Sequence, residues 1–288
     1  MGKKLTENEK LNLFEKLTRE IKENASTLTD NEARYLVDTY YQMQDFRIST
    51  NNQLRSAEKG DDTFVSENSA LCYIANSFET LENNIKLLLK AYAESKPIGR
   101  WLLSITGIGP VIAAGLIAHI DIKKVQTAGQ IQAYAGLDPT KKWEKGQKRP
   151  WNAKLKVLCW KVGQSFVKVS NNEKDVYGKI YKERKAYEIE QNEKGAYAEQ
   201  AAKKLASTKI GKDTDAYKWY SEGKLPPAHI QQRAERYATK IFISHLFTVW
   251  YEMEHGVPAP KPYAEAILNH AHIIAPPNFE DVKKFMQE

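Results

Sequence analysis

Leu102-Leu103-Ser104-Ile105-Thr106-Gly107-Ile108-Gly109-Pro110-Val111-Ile112-Ala113-Ala114 reads as the end of a short helix, a tight Gly-Ile-Gly turn and the start of a second helix. Gly107 and Gly109 accept backbone angles that a side chain forbids. Pro110 stands where a first helical residue tolerates a missing N–H. The pattern, a helix-hairpin-helix, predicts a helix N-terminus whose backbone donors suit an anionic oxygen.

Working outward, helical periodicity dominates on both sides and strand-like alternation is scarce. Leu11, Phe14, Leu17 and Ile21 mark one amphipathic helix, and Leu36, Tyr40, Met43 and Phe46 another that extends toward Leu54. The stretch from Ala57 to Asn68, with Gly60-Asp61-Asp62, reads as a loop. Leu71, Ile74, Phe78, Leu81, Ile85, Leu88 and Tyr92 then alternate steps of three and four, the seam of a coiled coil or helical hairpin arm. Pro97 ends that helix. Beyond the hairpin the sequence predicts a helix from Val111 to Ile120, a short one capped by Thr127 and ending near Tyr134, and a turn at Gly136-Leu137-Asp138-Pro139. Further helices are predicted over Trp151 to Ser170, Glu173 to about Ala206, and Pro227 to about His255. Tyr237, Ile241, Leu246, Phe247 and Trp250 are expected to form the core face of the last of these, and a small helix follows Phe279. The expected fold is all-α. A helical N-terminal region (1–68) leads through a coiled-coil-like arm (69–96) into a helix-hairpin-helix domain (97–206), followed by a C-terminal helical region and tail (207–288).

The 288 residues carry a net charge of +7, with 27% charged and 42% hydrophobic residues, a profile that fits a soluble globular chain with a polyanionic partner. No apolar run reaches the roughly 20 residues of a transmembrane helix, and no signal peptide is evident, so no membrane partner and a cytoplasmic location are expected. Cys72 and Cys159 lie far apart and read as reduced, buried thiols.

The positive charge is unevenly placed. From Lys141 to Lys168 nine residues are basic (Lys141, Lys142, Lys145, Lys148, Arg149, Lys154, Lys156, Lys161 and Lys168) against one acidic residue, Glu144. Trp143 and Trp151 are interleaved. Cations on a loop neutralise phosphates, and an indole stacks on an unpaired base. The candidate nucleic-acid contacts are therefore Thr106, Gly107, Ile108, Gly109 and Val111 of the hairpin, with Lys123, Lys124, Lys141, Lys142, Trp143, Lys145, Lys148, Arg149, Lys154 and Lys156 supplying charge and stacking. The amides of Gly107, Ile108 and Gly109 are expected to face a phosphate.

Ile105-Thr106-Gly107-Ile108-Gly109-Pro110 followed by Gln132-Ala133-Tyr134-Ala135-Gly136-Leu137-Asp138-Pro139 resembles the C-terminal domain of DEDD-type insertion-sequence transposases, relatives of the Piv invertase and the bridge-RNA recombinases. Family strings read close to "IPGIGPxxA" and "QxAAYAGLxP", and the similarity spans roughly Leu71 to Ala206. The resemblance implies an N-terminal RNase H-like domain with four acidic metal ligands, and a serine nucleophile shortly after the Gly-Leu-x-Pro turn. Here the first 95 residues read as helical, and Thr140-Lys141-Lys142-Trp143-Glu144 follows Pro139, which leaves Thr140 as the only nearby hydroxyl and a weak catalytic candidate.

The expected function is sequence-independent binding of DNA, branched DNA included, without cleavage activity of its own and accessory to transposition or recombination. An active recombinase using Thr140 or a partner's catalytic domain stays open, as does a structural protein that dimerises through the Leu71 to Tyr92 seam. A structured RNA is the alternative nucleic-acid partner. No cofactor and no metal are expected. His255, His270 and His272 lack a completing ligand, His245 reads as a hydrogen-bonded core residue, and Glu188, Glu190, Glu193 and Glu199 read as a solvated helix face.

Overall fold

Thr18 caps the first helix, α1 (Arg19–Asn24), its hydroxyl accepting from the Ile21 amide at 3.2 Å. One 3-10 turn later Thr29 and Glu32 form a capping box: the Glu32 carboxylate accepts from the Thr29 amide at 2.8 Å and the Thr29 hydroxyl from the Glu32 amide at 3.3 Å. That box starts α2 (Asp30–Lys59). A computed structural model of the chain describes residues 17–59, 70–260 and 274–287. They form an all-α fold, with no strand among the described residues. Leu11, Phe14 and most of the loop predicted from Ala57 to Asn68 lie outside them, and Ile21 is exposed rather than buried, because α1 has no buried residue.

The described residues form two compact units: those up to Leu103 with Gly109–Asp121, and Ser104–Ile108 with those from Ile122 onward. In the first, α2 packs antiparallel to α3 (Ala70–Glu94). The Tyr92 hydroxyl near the end of α3 donates to Asp30 at 2.8 Å at the start of α2, and Phe46 stacks on Phe78 at 5.3 Å midway. Between them Glu82, almost fully buried, receives Arg47 at 2.6 Å and Gln44 at 3.1 Å. The heptad seam thus serves a hairpin inside one chain: Ile85 and Tyr92 are buried, while Leu71 and Ile74 remain exposed. After α4 (Pro97–Ser104) comes α5 (Pro110–His119), which is apolar all round and accordingly buried nearly all round against α2 and α3. The Arg34 guanidinium donates to the Ala118 carbonyl at 2.7 Å, placing a cation at the helix C-terminus.

The second unit is organised around one long helix. After the 3-10 turn Ile122–Lys124 come α6 (Ala128–Tyr134), α7 (Ala153–Val169), α8 (Tyr177–Glu193), α9 (Ala198–Ser207), α10 (Asp215–Ser221), α11 (Pro227–His255) and α12 (Phe279–Gln287). α6, α7 and α8 all pack on α11. Phe166, Tyr177 and Phe242 make its aromatic centre, with ring centroids 4.8 to 5.4 Å apart. The single helix predicted over Glu173 to Ala206 is broken by a turn at Lys194–Tyr197, where Gly195 has φ +77. On α11 Leu246, Phe247 and Trp250 are buried and Ile241 half-buried, as expected, and one residue of the expected core face is out of place. Tyr237 is exposed under the Arg184 guanidinium, and Ala234, Ala238, Phe242 and Ile243 are buried in its place. The acidic face predicted on α8 needs a correction at one position, because Glu188 is buried and held by three neighbours while Glu190, Glu193 and Glu199 are exposed. Among the described residues no helix is long and apolar enough to cross a membrane.

His245 of α11 is a core residue, as its setting predicts. Its Nε2 lies 2.7 Å from the Ile274 carbonyl, which can only accept, so Nε2 carries the proton and Nδ1 accepts from the Tyr177 hydroxyl at 2.8 Å. Burial pushes the imidazole pKa down to about 4, against the opposing Ile274 carbonyl. An unfolded histidine titrates near 6.5. The unfolded chain therefore binds the extra proton first, and stability that is full above pH 6.5 is lost as the pH falls toward 4, by about 3 kcal/mol from this group. His245→Gln keeps one acceptor and one donor but does not titrate. Denaturant melts at pH 7 and pH 5 should show a smaller acid loss in the variant, and equal losses would mean the imidazole protonates without unfolding.

Candidate nucleic-acid interface

The hairpin turn differs from its sequence reading in two respects. Gly107 has φ +94, and its carbonyl accepts from the Ser165 hydroxyl at 2.5 Å. A Cβ there would sit 3.1 Å from Val169 Cγ2 and 3.3 Å from Phe166 Cδ1, so both backbone angle and packing require glycine. Ile108, however, buries its side chain and donates its amide to the Ile105 carbonyl at 2.9 Å. That amide is occupied within the turn and does not face a ligand. Gly109 has φ −88 and ψ 174, extended backbone open to any residue, and nothing lies within 4 Å of a Cβ built on it. It is exposed, so the missing side chain leaves room for close approach from outside. Pro110 is the first residue of α5, and the Ala113 amide already donates to the Gly109 carbonyl at 2.9 Å. Helix geometry leaves the amides of Val111 and Ile112 as the outward donors. The Val111 side chain is buried and Thr106 is half-buried.

The Gly-Leu-Asp-Pro turn follows from the end of α6. Gly136 has φ +66, Leu137 donates to the Gln132 carbonyl at 2.8 Å and Gly136 to the Ala133 carbonyl at 3.1 Å, a Schellman cap. A Cβ on Gly136 would lie 2.9 Å from both Trp151 Cγ and Lys156 Cδ. Gly136→Ala should destabilise the protein by about 1–3 kcal/mol through the positive φ and this overlap, read from a denaturant midpoint; an unchanged midpoint would mean that Trp151 moves aside without cost. Asp138 accepts from both the Thr140 hydroxyl at 2.7 Å and its amide at 2.9 Å, and these bonds hold its carboxyl below the usual range. Thr140 is thus a turn residue whose hydroxyl faces an ionised carboxylate.

Every residue from Lys141 to Pro150 is exposed. Inside the loop, Gly146 has φ +92, the Trp143 indole donates to the Gln147 carbonyl at 2.7 Å, and the Arg149 guanidinium covers the ring at 5.1 Å. The indole is pinned and 40% exposed, with a cation already on it. Lys141, Lys142, Lys145 and Lys148 form no ion pair among the described residues. Lys123 lies 3.3 Å from Glu254, a well-exposed pair worth little, and Lys124 is exposed beside it.

The loop returns through Asn152, which donates its amide to the Tyr134 carbonyl at 2.8 Å and caps α7 by accepting from the amides of Lys154 and Leu155. Lys154 points outward, and Lys156 lies over the half-buried Trp151 ring at 4.1 Å. Next to it opens a cleft of about 240 Å³ between α7 and α11, lined by Leu137, Lys156, Cys159, Trp160, Glu235 and Arg236 among others. Burial lowers the Lys156 pKa, and Arg149 and Arg236 lower it further. Burial likewise lowers Arg236, which Arg233 also repels. It lowers Lys240 as well, where nearby Asp138 opposes the shift and Arg236 adds to it. Trp160, Arg236 and Lys240 were absent from the sequence reading. The local signal was a tryptophan one turn beyond Lys156, but the two cations of α11 stand about 80 residues further along the chain.

Cys159 is buried, its thiol pushed up to about 12 by burial. His270 and His272 lie outside the described residues, and among the described ones no three metal-ligating side chains gather.

The comparisons bear on this same stretch. No curated protein and no solved structure matches the chain. Residues 99–168 match the family model described as Transposase IS116/IS110/IS902 family, a span that runs from α4 through the hairpin, the Schellman turn and the basic loop to the end of α7 and covers less than half of the chain. The chain therefore carries a transposase-related domain.

Proposed function

We propose that the protein binds DNA through its phosphate backbone, with little sequence preference and no cleavage activity of its own, as an accessory to transposition or recombination. The observation that carries this reading is the fully exposed loop Lys141–Pro150, whose lysines form no ion pair among the described residues and which lies inside the transposase-like segment. An unneutralised run of cations gains affinity by releasing counterions from a polyanion. The outward amides of Val111 and Ile112 beside the bare Gly109 form a second backbone contact of the same chemistry. Thr140 supports no nucleophilic role, because a carboxylate held below its usual range is a weak base for its hydroxyl. Fluorescence anisotropy on duplex and four-way-junction DNA across a salt series tests the reading. Affinity that falls steeply with salt on both substrates is expected; no binding at low salt would overturn it, and metal-dependent cleavage would restore the recombinase alternative.

A homodimer is a second reading, supported by one observation. Leu71 and Ile74 of the seam, with Tyr73 beside them, stay exposed at the start of α3 among the described residues. Sedimentation equilibrium of the intact chain decides it.

A further inference from the structure

The cleft between α7 and α11 has a composition that the exposed loop lacks. Lys156 and Trp160 stand one helical turn apart on its α7 edge, and Gln232 and Arg236 one turn apart on its α11 edge. Lys240 follows Arg236 by a further turn. Leu137, Cys159, Thr239, Glu235 and two glycines, Gly136 and Gly163, complete the lining. Trp160 is 57% exposed at the mouth, a large apolar surface left in water. One buried carboxylate lines the cleft: Glu235 accepts from Gln164 at 2.7 Å and from Gln231 at 2.9 Å, while Asp138, near Lys240, accepts from Thr140. Among the described residues no ion pair neutralises Lys156, Arg236 or Lys240. Two exposed cations, Lys156 and Arg236, therefore stand on opposite edges of the cleft beside an exposed indole, with the half-buried Lys240 one turn beyond.

We propose that this cleft holds one unpaired nucleotide of a bound strand, its phosphate on Arg236 and Lys156 and its base against the Trp160 ring. The inference rests on the nucleic-acid-binding reading above. A cleft of about 240 Å³ is far too small for a double helix, so only a nucleotide outside a duplex could enter it. The face of an indole stacks only on a base that has left its own stack. Stacking of this kind tolerates any base, which accords with binding that has little sequence preference. The loop holds duplex backbone while the cleft takes a strand that has opened.

The test uses the full-length chain and four probes: a labelled oligo-dT strand, an oligo-rU strand of the same length, a blunt duplex and the duplex with a single-stranded tail. Trp160→Ala and Arg236→Gln should each weaken strand and tailed-duplex binding about 10-fold or more, with blunt-duplex binding unchanged within about twofold. Trp160→Phe should restore most of the loss, because a phenyl ring still stacks. A variant with Lys141 and Lys142 changed to Gln should show the reverse preference and weaken the duplex. Whichever of the two strands binds more tightly names the source of the nucleotide as DNA or RNA. Equal loss on strand and duplex, or no loss in either cleft variant, would overturn the cleft proposal while duplex binding by the loop stands. Failure of the wild-type chain to bind any of the four probes would overturn both.

Discussion

Replacing Glu188 by Gln is expected to destabilise the protein by about 3 kcal/mol, the largest single-residue stability effect anticipated in the second unit. The side chain is 1% exposed. One carboxylate oxygen receives Arg184, 2.9 Å from Nε, and the other receives Arg233 at 2.6 Å and the Tyr197 hydroxyl at 2.5 Å. Arg233 also lies over the Tyr197 ring at 4.5 Å and donates to Gln200 at 3.1 Å. Burial alone would raise the Glu188 pKa, but the hydrogen bonds from Arg233, Tyr197 and Arg184 outweigh it and hold the carboxyl below its usual range. A neutral amide at this point leaves two guanidinium groups without their counter-charge and turns a donor toward donors. Because this cluster ties α8 to α11 and to Tyr197 and Gln200 of the next helix, the loss should loosen the short helices that pack on Ala201, Tyr220 and Leu225. Urea unfolding measures the effect. Glu190→Gln, on the exposed face, is the control and should change stability by less than about 0.5 kcal/mol. Equal effects at the two positions would mean that solvent screens the buried cluster.

Glu188 also shows where reading the sequence stops. Its spacing from Glu190 and Glu193 is that of a solvated face, and nothing local distinguishes it; Arg233, 45 residues later, does. By contrast, features written in neighbouring residues were legible. α11 runs from Pro227 to His255 as read, while the Asn152 cap of α7 and the left-handed Gly256 that ends α11 emerge only in the structure. The all-α class followed from periodicity, and the turn Gly136–Pro139 from its own residues. Thr127 stands at the N-cap of α6 as expected, yet its side chain makes no capping bond, and Gln130 takes the nearby Gln126 amide at 2.7 Å instead. The candidate site divides the same way. The cationic loop is contiguous and was read directly. The role of Ile108 depended on a turn hydrogen bond that composition does not encode. The cleft depended on two distant helices placing Lys156 and Trp160 opposite Arg236, a convergence that belongs to packing and not to spacing.

Neutralising Lys141, Lys142, Lys145 and Lys148 together by glutamine should produce the largest functional effect. All four are exposed and free of ion pairs among the described residues, so the substitutions remove no fold contact and stability should stay within about 0.5 kcal/mol of wild type. Each lysine that meets a phosphate contributes about 0.9 to the slope of log K against log salt, so the slope on duplex DNA should fall by roughly 3 to 4 if all four do. At moderate salt that corresponds to a loss of about 100-fold or more in affinity, spread evenly over unrelated sequences because phosphates carry no base information. The pattern of loss matters more than its size. A smaller affinity with an unchanged salt slope would mean that these lysines shape the loop without touching DNA, and the outward amides of α5 and the α7–α11 cleft would then have to carry the binding. A loss confined to one sequence would mean that the loop reads base edges. A slope that falls by about one per lysine removed, traced through the four single variants, would assign each side chain its own phosphate and leave Trp143, pinned between Gln147 and Arg149, as a strut that holds the loop open.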